Sequence, residues 1–191
     1  MAEMNWAEKL LVNSKLKYLI DEKIIFPSFF NFINNELKGK ILEIGCGIGN
    51  TTFLISKKYP KASIIATDYD SAQIKSVNKN EKIKSSKIKF QQADATRLSF
   101  KNSTFDYIIA SMVFHHIKDY EKAIEENYRI LNNGGYLYLI DVSKYAFWPI
   151  GLLERESLFT KKEFIEQLEN NGFKIEKSKG RLLFFIAAKK V

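Results

Sequence analysis

Ile41-Leu42-Glu43-Ile44-Gly45-Cys46-Gly47-Ile48-Gly49-Asn50-Thr51-Thr52 is an apolar run that breaks into alternating glycines and then enters a helix-forming segment. Glycine lets the chain turn sharply and lets a ligand lie against the main chain. Free N–H groups at the helix start are expected to face that ligand. In an open α/β sheet such a turn lies at a strand's carboxyl end, near the topological switch point where ligands bind. A tight turn without a ligand is the competing reading of one glycine motif taken alone.

Outward from this stretch the pattern repeats. Strands are expected at Lys40–Ile44, Ala62–Thr67, Lys87–Gln92, Phe105–Ala110 and Tyr136–Asp141, all rich in Ile, Tyr, Phe or Leu. Helices are expected between them at Thr51–Lys58, Ser71–Asn80 and Asp119–Leu131, the last opened by an N-cap-type aspartate. Such alternation predicts a parallel sheet with helices on both faces. Before it, Trp6 through Ile20 and Pro27 to Leu37 read as two helices. After it, Thr160-Lys161-Lys162-Glu163 is a capping box that starts a helix over Lys161–Asn170, and Asn171-Gly172 ends it with a left-handed turn. Phe173–Lys177 and Leu182–Lys189 then form an antiparallel hairpin across Ser178–Arg181.

Acidic residues narrow the ligand. A dinucleotide fingerprint needs glycine three positions after Gly47, where this chain has Asn50. Glu43 lies inside an apolar strand two residues before the first glycine; facing the pocket, it would repel a pyrophosphate and attract a cation. Asp68 and Asp94 follow the next two strands, and Asp68 stands 23 residues beyond Gly45, near the distance at which an acid reaches ribose hydroxyls. A cap or a solvated loop acid is the alternative for either aspartate alone. A nucleoside that carries positive charge and no phosphate suits the set, which describes S-adenosylmethionine.

Glu-Ile-Gly-Cys-Gly-Ile-Gly (43–49), Thr-Asp-Tyr-Asp (67–70) and Ala-Asp-Ala-Thr-Arg-Leu-Ser-Phe (93–100) follow one another in order. With Phe105-Asp106-Tyr107, His115-His116-Ile117 and the block 126–135, they resemble class I S-adenosylmethionine-dependent methyltransferases. The blocks are similar to the small-molecule, ubiquinone/menaquinone-biosynthesis-like, type 11 branch. The likeness covers roughly 38–142, with a weaker match over 160–190; Asn133 departs from it where the family usually has proline. It implies a Rossmann-like, doubly wound, seven-stranded, mostly parallel sheet with an antiparallel C-terminal strand and an N-terminal helical extension. One domain over 1–191 is expected: a helical cap at 1–38, a cofactor-binding core at 39–142, a substrate lid at 143–159, and a helix with hairpin at 160–191.

By matching motif, the resemblance implies that Gly45, Cys46, Gly47 and Gly49 wall the methionine moiety, with Glu43 near its ammonium. Asp68 would bind the ribose hydroxyls and Tyr69 would lie against adenine. Asp94 would accept from the adenine amino group beside the Ala95 backbone, and Ser111 would approach the methionine portion. No metal ligand set is expected.

Methyl transfer from a sulfonium needs alignment and exclusion of water more than it needs acid–base chemistry. No catalytic residue is assigned; His115, after the fourth strand, is the candidate base, with packing and helix entry as the alternative. Cys46 lacks a preceding proline, against a Pro-Cys nucleophile for cytosine methylation. Ser111-Met112-Val113-Phe114 stands where amino-methylating DNA enzymes carry an Asn/Asp-Pro-Pro-aromatic motif. The apolar stretch 144–153 and the segment around Trp6 could cover an apolar acceptor, or pack on the sheet or a second copy.

Composition bounds the rest. The 191 residues suit one domain, at about 100–200 residues per domain. The single cysteine excludes a disulfide framework, two histidines leave little for a His-rich metal site, and no apolar run nears the ~18 residues of a membrane span. Met1 to Trp6 lacks the basic start and apolar block of a signal peptide, so a cytoplasmic location is expected. The net charge of +8 comes mainly from lysine; only Arg97, Arg129, Arg155 and Arg181 are arginines. Scattered lysine reads as solvated surface, whereas nucleic-acid recognition favours the bidentate arginine fork. The expected partner is a small methyl acceptor. An RNA or protein substrate steered by lysines, or a cofactor-binding module without catalysis, are the alternatives.

Overall fold

The computed structural model describes residues 19, 21–80, 87–145 and 159–191. Its strands are β1 (Gly39–Ile44), β2 (Ala62–Asp68), β3 (Ile88–Gln92), β4 (Phe105–Ser111), β5 (Leu131–Val142), β6 (Phe173–Gly180) and β7 (Leu183–Lys190). Its α-helices are α1 (Phe26–Ile33), α2 (Asn50–Lys58), α3 (Ser71–Asn78), α4 (Tyr120–Ile130) and α5 (Lys161–Asn170). The strands form one seven-stranded sheet in the order β3-β2-β1-β4-β5-β7-β6. β1 to β5 pair in parallel, and β7 runs antiparallel to both β5 and β6. The order reverses between β1 and β4, which places the topological switch point beside the glycine turn.

Period-two alternation sends the two sides of each strand into separate cores. Leu42 and Ile44 join Phe105, Ile108, Leu137 and Leu139 under α4 and α5. Ile41 joins Ile64, Ile109 and Ile140, covered by Phe29 and Ile33 of α1 and Leu54 and Ile55 of α2. Glu43 shares the parity of Ile41, so its carboxyl is carried into the second layer. Among the described residues no helix is long and apolar enough to cross a membrane.

Several boundaries differ from expectation. β5 starts at Leu131 rather than Tyr136, because Leu131 pairs with Phe105 of β4 ahead of the polar 132–135 segment, which bulges from the register between Phe105 and Tyr107. Gly135 permits this: a Cβ there would lie 2.9 Å from the backbone oxygens of Asn132 and Asp106. The hairpin is tighter than expected, because β6 runs on to Gly180, whose φ of +82° supplies the turn. Asp119 precedes α4 without capping it; its ψ of 59° is outside the extended region a capping side chain requires. α1 stops at Ile33, short of Leu37, where Asn34 turns left-handed. The capping box at Thr160 and Glu163 forms as expected. The helix expected from Trp6 to Ile20 lies outside the described residues apart from Leu19, and the stretch 144–153 does so beyond Tyr145.

A few charged side chains are built into this architecture. Arg129 on α4 forks onto both Glu126 oxygens at 2.7 and 2.8 Å. It also donates to the carbonyls of Phe100 and Leu98, while Glu126 accepts the Leu98 amide. This clasp pins the 96–104 loop after β3 to the helix. Lys190, 8% exposed, donates to the carbonyls of Tyr128 and Leu131 and so caps the end of α4. Arg129→Ala is expected to cost about 2–3 kcal/mol in urea unfolding, the scale of hydrogen bonds to a charged group. Arg129→Lys should recover little of it, since one ammonium cannot reproduce the fork.

Candidate functional site

Parallel pairing brings the carboxyl ends of β3, β2, β1 and β4 side by side, and the expected cofactor residues sit along that rim. β1 delivers Glu43 and then the loop Gly45–Gly49, in which Gly45, Gly47 and Gly49 have φ of +74°, +52° and +84°. These are left-handed conformations that favour glycine. The loop is anchored on β2. The Thr67 carbonyl accepts from the amides of Gly45 (2.8 Å) and Cys46 (2.9 Å), and the Thr67 hydroxyl donates to the Glu43 carbonyl.

The Gly45, Cys46, Gly47 and Gly49 amides do not face a ligand freely: the first two bond Thr67, Gly47 bonds Asp68, and Gly49 bonds the Cys46 carbonyl. Asp68 is more than a ligand-facing acid, since Oδ2 accepts from Gly47 N at 2.8 Å and Oδ1 from Asp70 N at 2.9 Å. Burial raises its carboxyl above the usual range, and those two N–H groups pull it back. Each oxygen retains a second lone pair for a hydroxyl donor.

Glu43 is the electrostatic anomaly. It is 1% exposed, and neither carboxyl oxygen has a hydrogen-bond partner. The Thr52 hydroxyl, from the first turn of α2, lies nearby and is likewise buried without a well-formed bond. Burial pushes the Glu43 carboxyl up to about 8, partly offset by Thr52 and reinforced by the Asp68 charge. Native proteins rarely leave such a group orphaned, because desolvation without a partner costs free energy. Cys46, also buried, has its thiol raised well above its ordinary value by burial and then by Glu43 and Asp68, which disfavours the thiolate a nucleophile requires.

Further along the rim, the Ala93 amide bonds the Asp68 carbonyl and ties the end of β3 to that of β2. Asp94 Oδ1 accepts from both the amide (2.9 Å) and the hydroxyl (2.8 Å) of Thr96, and Ala95 is buried beside it. Tyr69, half-buried, has its carbonyl held by the Gln92 side chain. Ser111 ends β4 opposite Ile140, and the chain then turns through Met112 at φ +54° into a 3-10 turn, Phe114–His116. Asp141, next to last in β5, is a buried acid that the sequence reading does not single out. Its Oδ1 lies 2.5 Å from His115 Nδ1, and its Oδ2 accepts from the Phe114 amide at 2.9 Å. An aspartate closing an apolar strand is the signal that could have marked it.

Two open grooves among the described residues lie at the other end of β1. One of about 760 Å³ is lined by Gly39, Lys40, Phe100, Asp106 and Asn132, at the amino ends of β1 and β4. Asp106 there is committed to the Lys40 amide and the Asn132 side chain.

A family model described as a methyltransferase domain matches residues 42–139, just over half of the chain, from β1 to β5. A demethylmenaquinone methyltransferase of Thermus thermophilus is 27% identical over 116 residues, covering 61% of this chain and 53% of the relative. A ribosomal RNA small subunit methyltransferase A of Wigglesworthia glossinidia brevipalpis is 31% identical over 161 residues, covering 72% of this chain and 60% of that protein. The chain spans about half the length of the first curated relatives it matches. A SAM-dependent methyltransferase from Aquifex aeolicus superposes with a TM-score of 0.77 at 19% identity, over 99% of this chain and all of the other, a likeness of fold. The glycine turn, the acids on successive strand ends and the match through the whole parallel core meet in one assignment: the chain belongs to the methyltransferase-domain family of class I, S-adenosylmethionine-dependent proteins.

Proposed function

We propose that this protein transfers the methyl group of S-adenosylmethionine to a small, partly apolar acceptor at O, N or C. The observation that carries the reading is Glu43, a buried carboxyl with both oxygens unpartnered beside a glycine-rich turn. A cationic ligand supplies what it lacks. Gly47 adds a cradle, since a Cβ built there meets nothing within 4 Å. The residues therefore fit the cofactor.

In this reading Glu43 receives the cofactor's ammonium, and Gly45, Cys46, Gly47 and Gly49 flank its methionine portion together with Ser111. Asp68 takes the ribose hydroxyls on its remaining lone pairs. Tyr69, Asp94 and Ala95 hold adenine. Bound there, the cofactor supplies an activated methyl on a sulfonium that is its own leaving group. The chain's task is to orient and to exclude water. The domain plan 1–191, with a cap at 1–38 and a lid at 143–159, and a cytoplasmic location belong to the same reading.

Calorimetry should give micromolar-range binding of S-adenosylmethionine and of its demethylated product, lost or strongly weakened in Asp68→Ala. No binding by the intact protein, or an Asp68→Ala variant that binds as tightly, would overturn the proposal. The acceptor is to be found by following labelled methyl from the cofactor into a cell extract. The ribosomal RNA methyltransferase relative favours RNA as the second reading. Against it, Lys144, Lys161, Lys177 and Lys190 are engaged within the fold, bonding Glu163 or backbone carbonyls. RNA binding at low ionic strength that weakens steeply with salt would support it, and its absence would remove it.

A further inference from the structure

We infer that Asn133 is a site of spontaneous covalent modification: its carboxamide cyclises onto the Gly134 amide, loses ammonia and takes up water, leaving an aspartyl or isoaspartyl residue in an intact chain.

The sequence holds two Asn-Gly pairs, Asn133-Gly134 and Asn171-Gly172. In such a pair the amide nitrogen after the asparagine can close on its Cγ, since glycine places no side chain in the way. The fold leaves one pair open and ties the other down.

Asn133 and Gly134 are both exposed. They lie in the bulge of β5, between the pairs Leu131–Phe105 and Tyr136–Tyr107, and β7 begins its own pairing with β5 only at Tyr136. Neither residue therefore has a partner on an adjacent strand, as a bulge entails. The Asn133 carboxamide has no hydrogen-bond partner among the described residues, whereas the neighbouring Asn132 donates to Asp106 Oδ1 at 2.8 Å. Gly134 has φ +79°, and a Cβ built on it meets nothing within 4 Å. The space around the pair is the open groove of about 440 Å³ that Lys38, Asp106 and Tyr107 also line, so water reaches both reacting groups.

Asn171-Gly172 holds the same atoms under restraint. Asn171 is half-buried, and its Nδ2 donates to the Gln167 carbonyl at 2.9 Å. The Gly172 amide donates to the Glu169 carbonyl at 2.9 Å, and the Tyr128 hydroxyl lies 3.0 Å from where a Gly172 Cβ would stand. Ring closure there waits for both bonds to open.

In the step, the Gly134 nitrogen gives its proton to water and bonds Asn133 Cγ. The Cγ–Nδ2 bond breaks, and Nδ2 leaves as ammonia with a proton returned from water. A second water then adds to one of the two ring carbonyls of the succinimide. Opening between Cγ and nitrogen restores the ordinary backbone with an aspartate side chain. Opening at the main-chain carbonyl instead runs the backbone through Cγ, one carbon longer, and frees that carbonyl as a carboxylate. Either product lowers the net charge of +8 by one.

The intact wild-type protein, aged for days at mildly alkaline pH and digested with trypsin beside an unaged sample, reads this out through two peptides. Residues 130–144 should gain the mass of an NH exchanged for O and split into two chromatographic forms. Fragment ions should place the change at Asn133, and heavy-oxygen water should supply the new atom. Residues 163–174 should change about tenfold or more slowly, the ratio that opening two hydrogen bonds implies. That peptide should catch up when the protein is aged in urea. Asn133→Gln, whose longer side chain would need a six-membered ring, should leave 130–144 unchanged. An unmodified 130–144 peptide from the aged, folded chain overturns the inference. So does modification of both peptides at one rate, or a change placed at Asn132.

Discussion

Glu43→Gln is expected to make the ligand-free protein more stable above pH 8 and, in the same molecule, to weaken S-adenosylmethionine binding by about tenfold or more, the scale of one lost charged contact. The sign follows from burial. The Glu43 carboxyl is raised to about 8 in the folded chain, far above its value in an unfolded one. Between those values the folded state binds the extra proton, so the stability this group contributes is complete at low pH. It is lost as pH rises through about 8, where the carboxylate must sit desolvated beside Asp68. Glutamine cannot ionise, so the variant escapes that loss. Thermal unfolding should show the variant melting about 5 °C or more above wild type at pH 9, a shift reached by a couple of kcal/mol in a chain of this size. The gap should shrink as pH falls from 8 and close below about pH 4, where Glu43 is protonated in the folded and the unfolded chain alike. A gap independent of pH would show that the carboxyl is not the destabilising element. Binding supplies the counterpart: below pH 8 the wild type should release a proton as a cationic ligand draws Glu43 into its charged form, and the variant should not. Calorimetry in two buffers of different ionisation enthalpy reads that proton directly.

That trade of stability for an unpaired charge is partly legible in the amino-acid sequence. An acid inside Ile41–Ile44 breaks the apolar run, and period two sets Glu43 on the side of Ile41. The five parallel strands are legible because apolar runs and turn residues alternate at regular spacing. What stays hidden depends on register. Ile44 pairs with Thr67, so the end of β2 meets the glycine turn and its Thr67 carbonyl takes up the Gly45 and Cys46 amides, a tie that no local reading shows. Ser111 pairs with Ile140, which brings Asp141 beside the turn that holds His115, 26 positions away in the chain. Read locally, Asp141 is a solvated strand-end acid. The polar 132–135 segment reads as loop, and it is the part of β5 that bulges from the register; the strand begins earlier only because Leu131 pairs with Phe105.

Gly45→Ala and Gly47→Ala should separate folding from binding within a single loop. Both glycines have positive φ, so alanine at either is strained by about 1–2 kcal/mol. At Gly45 the new methyl would also lie 2.4 Å from Val113 Cγ2 and 2.8 Å from Val113 Cβ. A β-branched side chain in a packed turn has little room to yield, and overpacking adds about 1–3 kcal/mol. Gly45→Ala should therefore lose about 3 kcal/mol or more in urea unfolding, the sum of strain and overpacking, and displace the turn that leads to His115. At Gly47 nothing stands within 4 Å of the added methyl, and the amide can keep its bond to Asp68. Gly47→Ala should thus stay folded, with a loss limited to the strain of about 1–2 kcal/mol. Its methyl would occupy the space assigned to the methionine portion of S-adenosylmethionine, and affinity should fall about tenfold or more. Should Gly47→Ala bind the cofactor as tightly as wild type, the open face of the loop would be ordinary surface, and the cofactor's methionine portion would have to lie elsewhere along the strand ends.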